Sequence, residues 1–375
     1  MVDPERNDLM WVAHSDTLRL MVDGLSQEAL ISVDTESNSL FAYQEQVCLI
    51  QFSTAQTDYL VDPLVLKNLS SLGPLFADPT IEKIFHAAEY DLVCLKRDFG
   101  FVFENLFDTM LAARILGRSG LGLGTMLLEE FGVEVDKRYQ RADWSRRPIS
   151  AVMMNYARMD THYLIPLRNI LKDQLVAANR WDLAQEDFRR LPQIQAGTMH
   201  ENGANCWRIA GAQDLTPRQA AVLLQLCYYR DEQAKALNQP PFRVLSNHIL
   251  LEIAQLMPRK RADFNQVTGF SPRLIQRYGA GLLAAVERGV TGPPAYRPYS
   301  PRPDDQLLWR LEALRNWRKS TARTLGVESD IVLPRDIMEE IAERNPHCIE
   351  DLSAIMVSLP WRFSQFGRQI LELLN

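Results

Sequence analysis

The periodicity of this chain changes once, near residue 205, and that change limits the folds open to it. Upstream, short apolar runs alternate with segments of helical spacing. Leu30-Ile31-Ser32-Val33, Val47-Cys48-Leu49-Ile50-Gln51-Phe52 and Tyr59-Leu60-Val61 read as strands. The short connection between the first two predicts an antiparallel hairpin. Lys83-Ile84-Phe85-His86 and Asn105-Leu106-Phe107-Asp108 read as further strands, each leading into a helical pattern. Strands interleaved with helices specify an α/β or mixed-sheet domain. Ser150 is placed to cap a helical stretch reaching Asn179, which Pro166 kinks or divides. Downstream no strand is expected. Helical spacing covers residues 217–237, 246–257, 272–288, 306–325, 334–344 and 363–374.

The downstream part also repeats itself. Arg243-Val244-Leu245-Ser246-Asn247-His248-Ile249-Leu250 and Leu333-Pro334-Arg335-Asp336-Ile337-Met338 each follow a long helix with basic residues. Two copies of one small helical module, the second diverged, account for this. The run from Thr291 to Pro303 holds too many prolines for helix or central strand and reads as an extended spacer. The expected organisation is a first domain over residues 1–205, a helical module over 206–292, a proline-rich linker over 293–303, and a second module over 304–375. A length of 375 residues agrees with two or three domains.

Composition narrows the function. Apolar residues make up 46% of the chain, which suits ordinary cores and excludes a disordered polypeptide. No apolar run approaches the roughly 20 residues of a membrane span. The opening Met-Val-Asp-Pro-Glu-Arg is polar and lacks a signal-peptide core, so a cytoplasmic protein is expected. The five cysteines are scattered, with no C-x-x-C pair, which argues against a zinc ribbon or a disulfide framework. The net charge of −6 divides into −9 over residues 1–200 and +3 over residues 201–375. An acidic first part does not grip nucleic acid broadly, but it suits a local acidic pocket filled by metal.

Such a pocket is suggested by five residues. Asp34 and Glu36 sit two apart at the end of a strand, and Tyr156 and Asp160 sit four apart on a helix, so each pair shares a face. Asp91 opens the helix after the fourth strand. Each motif alone is a common arrangement; several acids from different elements converging together suit hard divalent cations and phosphodiester chemistry. Tyr156, with an ordinary pKa of about 10, suits positioning better than proton abstraction.

The order D-x-E, then Asp91 within His86-Ala87-Ala88-Glu89-Tyr90-Asp91, then Y-x-x-x-D resembles the DEDD exonucleases, in the subgroup with tyrosine in its third motif. The run Tyr139-Gln140-Arg141-Ala142-Asp143-Trp144-Ser145-Arg146-Arg147-Pro148-Ile149-Ser150 resembles the ribonuclease D branch, and the helical modules resemble HRDC domains. The resemblance implies an RNase H-like exonuclease domain, a mixed sheet flanked by helices, followed by two all-α HRDC-like domains. It implies two divalent ions, Mg²⁺ or Mn²⁺, and hydrolysis of RNA from the 3′ end to nucleoside 5′-monophosphates, with tRNA precursors or other structured RNA as partner. In that pattern Asp34 bridges both ions, Glu36 and Asp160 complete the site of one, Asp91 serves the other, and Tyr156 orients the attacking water. Ser37 stands where the family often has an aromatic residue. A DNA exonuclease would use the same acids, and a non-catalytic RNA-binding scaffold would be expected to have lost some of them.

Substrate contacts are less constrained. Thr35 lies between two of the acids, and Tyr43 and Gln51 lie near the same sheet edge, where they could meet sugar or base. Arg146 and Arg147 suit phosphates or a solvated face, and Trp144 suits base stacking or a core position. Arg259-Lys260-Arg261 and Arg315, Arg318, Lys319 and Arg323 are candidate phosphate contacts in the helical modules, which otherwise merely pack on the first domain. His86 is expected to be structural, and His162, out of helical register with the site, is not expected to act as a base. The Gly120-Leu121-Gly122-Leu123-Gly124 run lacks the pattern and the lysine of a phosphate loop.

Overall fold

The computed structural model describes residues 8–195, 204–298 and 304–374. Residues 196–203, at the end of the expected first domain, and residues 299–303, in the expected proline-rich linker, lie outside them. The chain divides into two compact units. One holds the sheet domain together with the second helical module; the other holds the first helical module and the loop Asn38–Gln46.

The sheet has six strands: β1 (Asp8–Val12), β2 (Leu30–Ser37), β3 (Val47–Ser53), β4 (Thr57–Val61), β5 (Glu82–Phe85) and β6 (Leu106–Asp108), in the order β1-β4-β3-β2-β5-β6. The β2–β3 hairpin is antiparallel as expected, β3–β4 is antiparallel, and the pairs β1–β4, β2–β5 and β5–β6 are parallel. Strand β1 escaped sequence reading because it is an exposed edge with no apolar alternation. The helices of this domain are α1 (Ser15–Leu25), α2 (Leu72–Ala77), α3 (Glu89–Phe99), α4 (Thr109–Leu116), α5 (Leu123–Phe131), α6 (Ala151–His162), α7 (Leu164–Ala177) and α8 (Trp181–Arg190). Ser150 caps α6 by accepting from the Met153 N–H. The long helical stretch divides at Tyr163, with Pro166 in the first turn of α7, where its missing N–H is harmless.

Strand parity sorts the sheet into two chemistries. Ile31, Val33, Ile50, Phe52 and Val61 enter the main apolar core with Phe76, Phe85 and the buried faces of α3, α4 and α7. The opposite parity carries Ser32, Asp34 and Glu36 on β2, Gln51 and Ser53 on β3, and Asp58 on β4. Helix α6 packs on β2, β3 and β4. A smaller cluster of Leu49, Leu60, Trp144, Ile149 and Ala157 lies beneath it.

The first module comprises α9 (Pro217–Leu237), α10 (Pro241–Val244), α11 (Asn247–Leu256) and α12 (Pro272–Thr291) around Leu226, Leu250, Ile253, Phe264 and Leu282. The second comprises α13 (Asp305–Leu325), α14 (Ser329–Val332), α15 (Arg335–Arg344), α16 (Ile349–Ile355) and α17 (Pro360–Leu374) around Leu314, Ile341, Leu352 and Ile370. The repeat is visible in detail. Each module sets a 21-residue helix before a four-residue and a ten-residue helix, and Met257 and Asn345 end the last of these with φ of 48° and 47°. Cys206 and Cys227 stand within disulfide distance, their Cα atoms 6.3 Å apart where residues 204–208 pack on α9; a single such pair does not make a disulfide framework. Cys48 and Cys94 are buried thiols.

The second module is fastened to the sheet domain. Arg362 of α17 is fully buried and bonds Glu186 Oε2 (3.0 Å), Asp187 Oδ2 (2.8 Å) and the Ile331 carbonyl (2.8 and 3.0 Å). Arg114 pairs with Glu328 and Asp330, and Arg190 with Asp336. Among the described residues no helix is long and apolar enough to cross a membrane.

Candidate active site

Three elements deliver the five predicted residues. Strand parity points Asp34 and Glu36 to one face of β2, and the register shift after Glu36 ends the regular pairing just beyond them. Asp91 lies in the first turn of α3, where an acid suits the helix dipole. Tyr156 and Asp160 share one face of α6. Asp34, Thr35, Glu36, Tyr156 and Asp160 line one cavity of about 340 Å³. Asp91 stands behind this wall, 6% exposed, with the Thr35 hydroxyl hydrogen-bonded to its Oδ1.

The sequence reading missed Asp108, which builds the entry to α3. Its carboxylate accepts from the N–H groups of Ala87 (3.1 Å) and Ala88 (2.7 Å), and from Met110 and Leu111 at the start of α4. Ala87 is thereby held at φ 62°, a conformation that costs a non-glycine residue energy and turns the chain so that Asp91 reaches the acids. The signal was an aspartate just before a helix, the ordinary form of an N-cap.

The acids load one another. Burial, then Asp91, Asp160 and Glu36, raise Asp34 well above the carboxylate range. Burial, then Asp160 and Asp91, do the same to Glu36. Burial and Asp91 push Asp160 up to about 7. Burial pushes Asp91 up to about 7 against the pull of the Thr35 hydrogen bonds. Burial and the charges of Asp160, Glu36 and Asp34 raise the Tyr156 phenol, so it stays protonated. Such a set of hard oxygen donors matches Mg²⁺ or Mn²⁺ in kind. Among the described residues, no group of three or more acid, histidine or cysteine side chains is arranged as a closed metal site.

The rest of the cavity wall has the other polarity. It includes Lys137, Gln140, Val135 and the first turn of α5, Gly122 to Thr125. A helix N-terminus presents unpaired N–H groups and partial positive charge. The glycine run therefore serves here as a helix start, and Lys137 was not singled out because nothing local marks it. His86 also lines the cavity; its Nδ1 meets Thr109 Oγ1 at 2.9 Å.

Several expected substrate contacts are corrected. Trp144 is buried, packs on Tyr156 with ring centroids 6.0 Å apart, and has no face for a base. Arg147 forks onto Asp62 (2.7 and 2.8 Å) and also donates to the Cys48 and Trp144 carbonyls, so its donors hold the fold together. Arg146 is exposed and pairs with Asp143. Gln51 faces Asp34 across β2–β3 but is fully buried, out of reach of a sugar. The Tyr43 hydroxyl donates to Asp231 Oδ1 and Oδ2, both at 2.9 Å, inside the unit built on the first helical module. Of the helical-module cations, Arg259, Lys260, Arg261, Arg315, Lys319 and Arg323 are exposed, whereas Arg318 is half-buried and donates to the Leu333 carbonyl.

Comparison with known proteins gives the family of the chain. Residues 9–176 match the 3′–5′ exonuclease family, and residues 219–286 and 308–374 match the HRDC domain. The chain is 26% identical over 376 residues to ribonuclease D of Pseudomonas paraeruginosa, covering 98% of both. It is 32% identical over 255 residues to the exosome complex component 10 homolog of Caenorhabditis elegans, covering 67% of this chain but only 29% of that longer protein. The crystal structure of Escherichia coli RNase D, an exoribonuclease involved in structured RNA processing, matches with a TM-score of 0.70 at 25% identity, covering 97% of this chain and 98% of that one. The chain belongs to the ribonuclease D-like 3′–5′ exonucleases and carries two HRDC domains. The expected fold, a mixed-sheet exonuclease domain followed by two helical modules, is the one observed.

Proposed function

We propose that this protein is a metal-dependent exoribonuclease that shortens structured RNA, such as tRNA precursors, from the 3′ end to nucleoside 5′-monophosphates. The observation that carries this reading is the set of four carboxylates supplied by β2, α3 and α6, with Asp34, Glu36 and Asp160 lining one cavity and Asp91 behind its wall, all held above the ordinary carboxylate range. The likeness to ribonuclease D supports RNA as substrate. Asp34, Glu36, Asp91 and Asp160 would hold two Mg²⁺ or Mn²⁺ ions, which when bound supply Lewis-acid stabilisation to the attacking and leaving oxygens of an in-line displacement.

The chain's own groups supply the positioning. Tyr156, kept protonated, orients the attacking water by hydrogen bonding and does not act as base. Lys137 and the N-terminal turn of α5 meet the phosphate. Thr35, bonded to Asp91, holds that acid in place beside the terminal nucleotide.

A degradation assay tests the reading. Matched RNA and DNA, labelled at either end, are incubated with Mg²⁺ and with EDTA. The 3′ label should leave first as a mononucleotide, the 5′-labelled strand should shorten stepwise, and EDTA should stop both. Equal rates on DNA would overturn the RNA preference; a 5′ label released first would overturn the polarity.

Two further outcomes follow. Tyr156→Phe should lower kcat by about 10²-fold with little change in KM, the scale of a lost positioning contact. Metal affinity should fall as pH falls through about 7, because Asp91 and Asp160 then take up protons that compete with the cation. Calorimetric titration with Mn²⁺ at pH 6 and pH 8 checks this; equal affinities would argue against these two acids as ligands.

A further inference from the structure

We propose that Asp58, with Arg158, His162 and the Ser53–Thr161 pair, is a buried polar layer that fixes the seat of α6 on the sheet and so positions Tyr156 and Asp160. This inference rests on the acidic cavity being the catalytic site. Ser32, Ser53 and Asp58 stand side by side across β2, β3 and β4, all fully buried. Asp58 Oδ2 accepts from Arg158 Nε (2.7 Å) and from His162 Nδ1 (2.8 Å), and Ser53 Oγ and Thr161 Oγ1 share a hydrogen bond of 2.7 Å. Arg158, Thr161 and His162 lie on α6 within two residues of Asp160, the first of them also two residues from Tyr156. The neighbouring row across the strands holds Asp34 and Gln51.

The apolar half of the α6 seat cannot set the register alone. Contacts of Leu49, Leu60, Trp144 and Ala157 are non-directional. A slip of one residue moves the helix by about 1.5 Å and turns its side chains by roughly 100°. In any register but the observed one, Asp58 loses the Arg158 and His162 donors it takes from α6, and a buried carboxylate stripped of its cation is a costly state. Misplacing a catalytic group by about 1 Å costs about 10²-fold in rate. Ser32 Oγ, both amide atoms of Gln51 and His162 Nε2 are buried without a hydrogen-bond partner among the described residues. Such groups are rare in cores and concentrate where function needs them. None of these residues lines the cavity, so they are positioning residues.

The test uses the full chain with two variants, Asp58→Asn and the double change Ser53→Ala with Thr161→Val. The double change removes both partners of the Ser53–Thr161 bond, and Asp58 loses the Ser53 hydroxyl but keeps Arg158 and His162, so it folds even where Asp58→Asn does not. Folding is checked by circular dichroism and melting, and Asp34→Asn runs in parallel. Calorimetric Mn²⁺ affinity per folded molecule should weaken, and kcat should fall, each by about tenfold, the scale of a lost supporting contact behind a metal ligand, while KM stays within about threefold. Wild-type Mn²⁺ affinity and kcat in both variants would overturn the proposal. So would a rate loss that only tracks the folded fraction at unchanged Mn²⁺ affinity. If Asp34→Asn itself binds Mn²⁺ and cleaves normally, the catalytic-site reading fails instead.

Discussion

Replacing Asp34 with asparagine is expected to lower RNA hydrolysis by about 10³-fold, the loss that follows removal of a preorganised charge at a reacting centre. At the same time the metal-free protein should become more stable at pH 8. Both follow from one arrangement. Asp34 is crowded by Asp91, Asp160 and Glu36 in a half-buried pocket, and each charge makes the others harder to ionise. A carboxyl whose folded pKa is raised supports the fold below its unfolded pKa and loses that support as pH rises through the folded value. For Asp91 and Asp160 that window runs from about 4 to about 7. At pH 8 the metal-free site is therefore under electrostatic load, and an uncharged amide in place of the Asp34 carboxylate relieves part of it. Each 1 kcal/mol relieved raises Tm by about 2–4 °C in a domain of this size. Saturating Mg²⁺ should reverse the order, stabilising the wild type and not the variant. Melting curves at pH 5 and pH 8, with Mg²⁺ and with EDTA, read all of this. A fall in metal-free Tm at pH 8 would contradict the mutual loading, and retained hydrolysis would contradict the catalytic role.

Local signals made much of this legible. The parity of Asp34 and Glu36, the spacing of Tyr156 and Asp160, the cap at Ser150 and the antiparallel hairpin all depend on residues a few positions apart. What stayed hidden depends on distant partners. Arg147 looks like a free cation until Asp62, 85 residues away, takes its guanidinium. Gln51 has the right parity to join Asp34, but its burial under α6 is a matter of packing between elements. Tyr43 sits in a short loop whose partner, Asp231, belongs to the first helical module. The short helices α10, α14 and α16 were missed because four to seven residues carry too little periodicity. Even the acids illustrate the limit: spacing shows which side chains share a face, whereas the raised pKa values arise only when three elements meet.

The second large effect is expected at Arg362, far from the acids in sequence. Arg362→Ala should lower the unfolding free energy by about 3–5 kcal/mol, the cost of removing one partner from a buried ion cluster. The guanidinium holds Glu186, Asp187 and the Ile331 carbonyl at once, and Glu186 also accepts from the Trp361 and Arg362 N–H groups. Without it, two carboxylates of α8 stay buried with no cation. The second helical module should then part from the sheet domain, giving earlier protease cleavage in the proline-rich linker and a second transition in urea. The triple variant Arg362→Met, Glu186→Gln and Asp187→Asn should recover most of the loss, because it removes the charges together and keeps acceptors for the two N–H groups. An unfolding free energy for Arg362→Ala within about 1 kcal/mol of wild type would show that the cluster does not hold the module. The same contacts bear on how the helical modules are tested for RNA binding. A chain ending near residue 210 loses Arg362, Glu328 and Asp330 along with any RNA surface, and so strips Glu186, Asp187 and Arg114 of their partners. Weaker RNA binding by such a truncation has two sources, whereas charge-removing changes at exposed Arg315, Lys319 and Arg323 leave the cluster intact and isolate the RNA contribution.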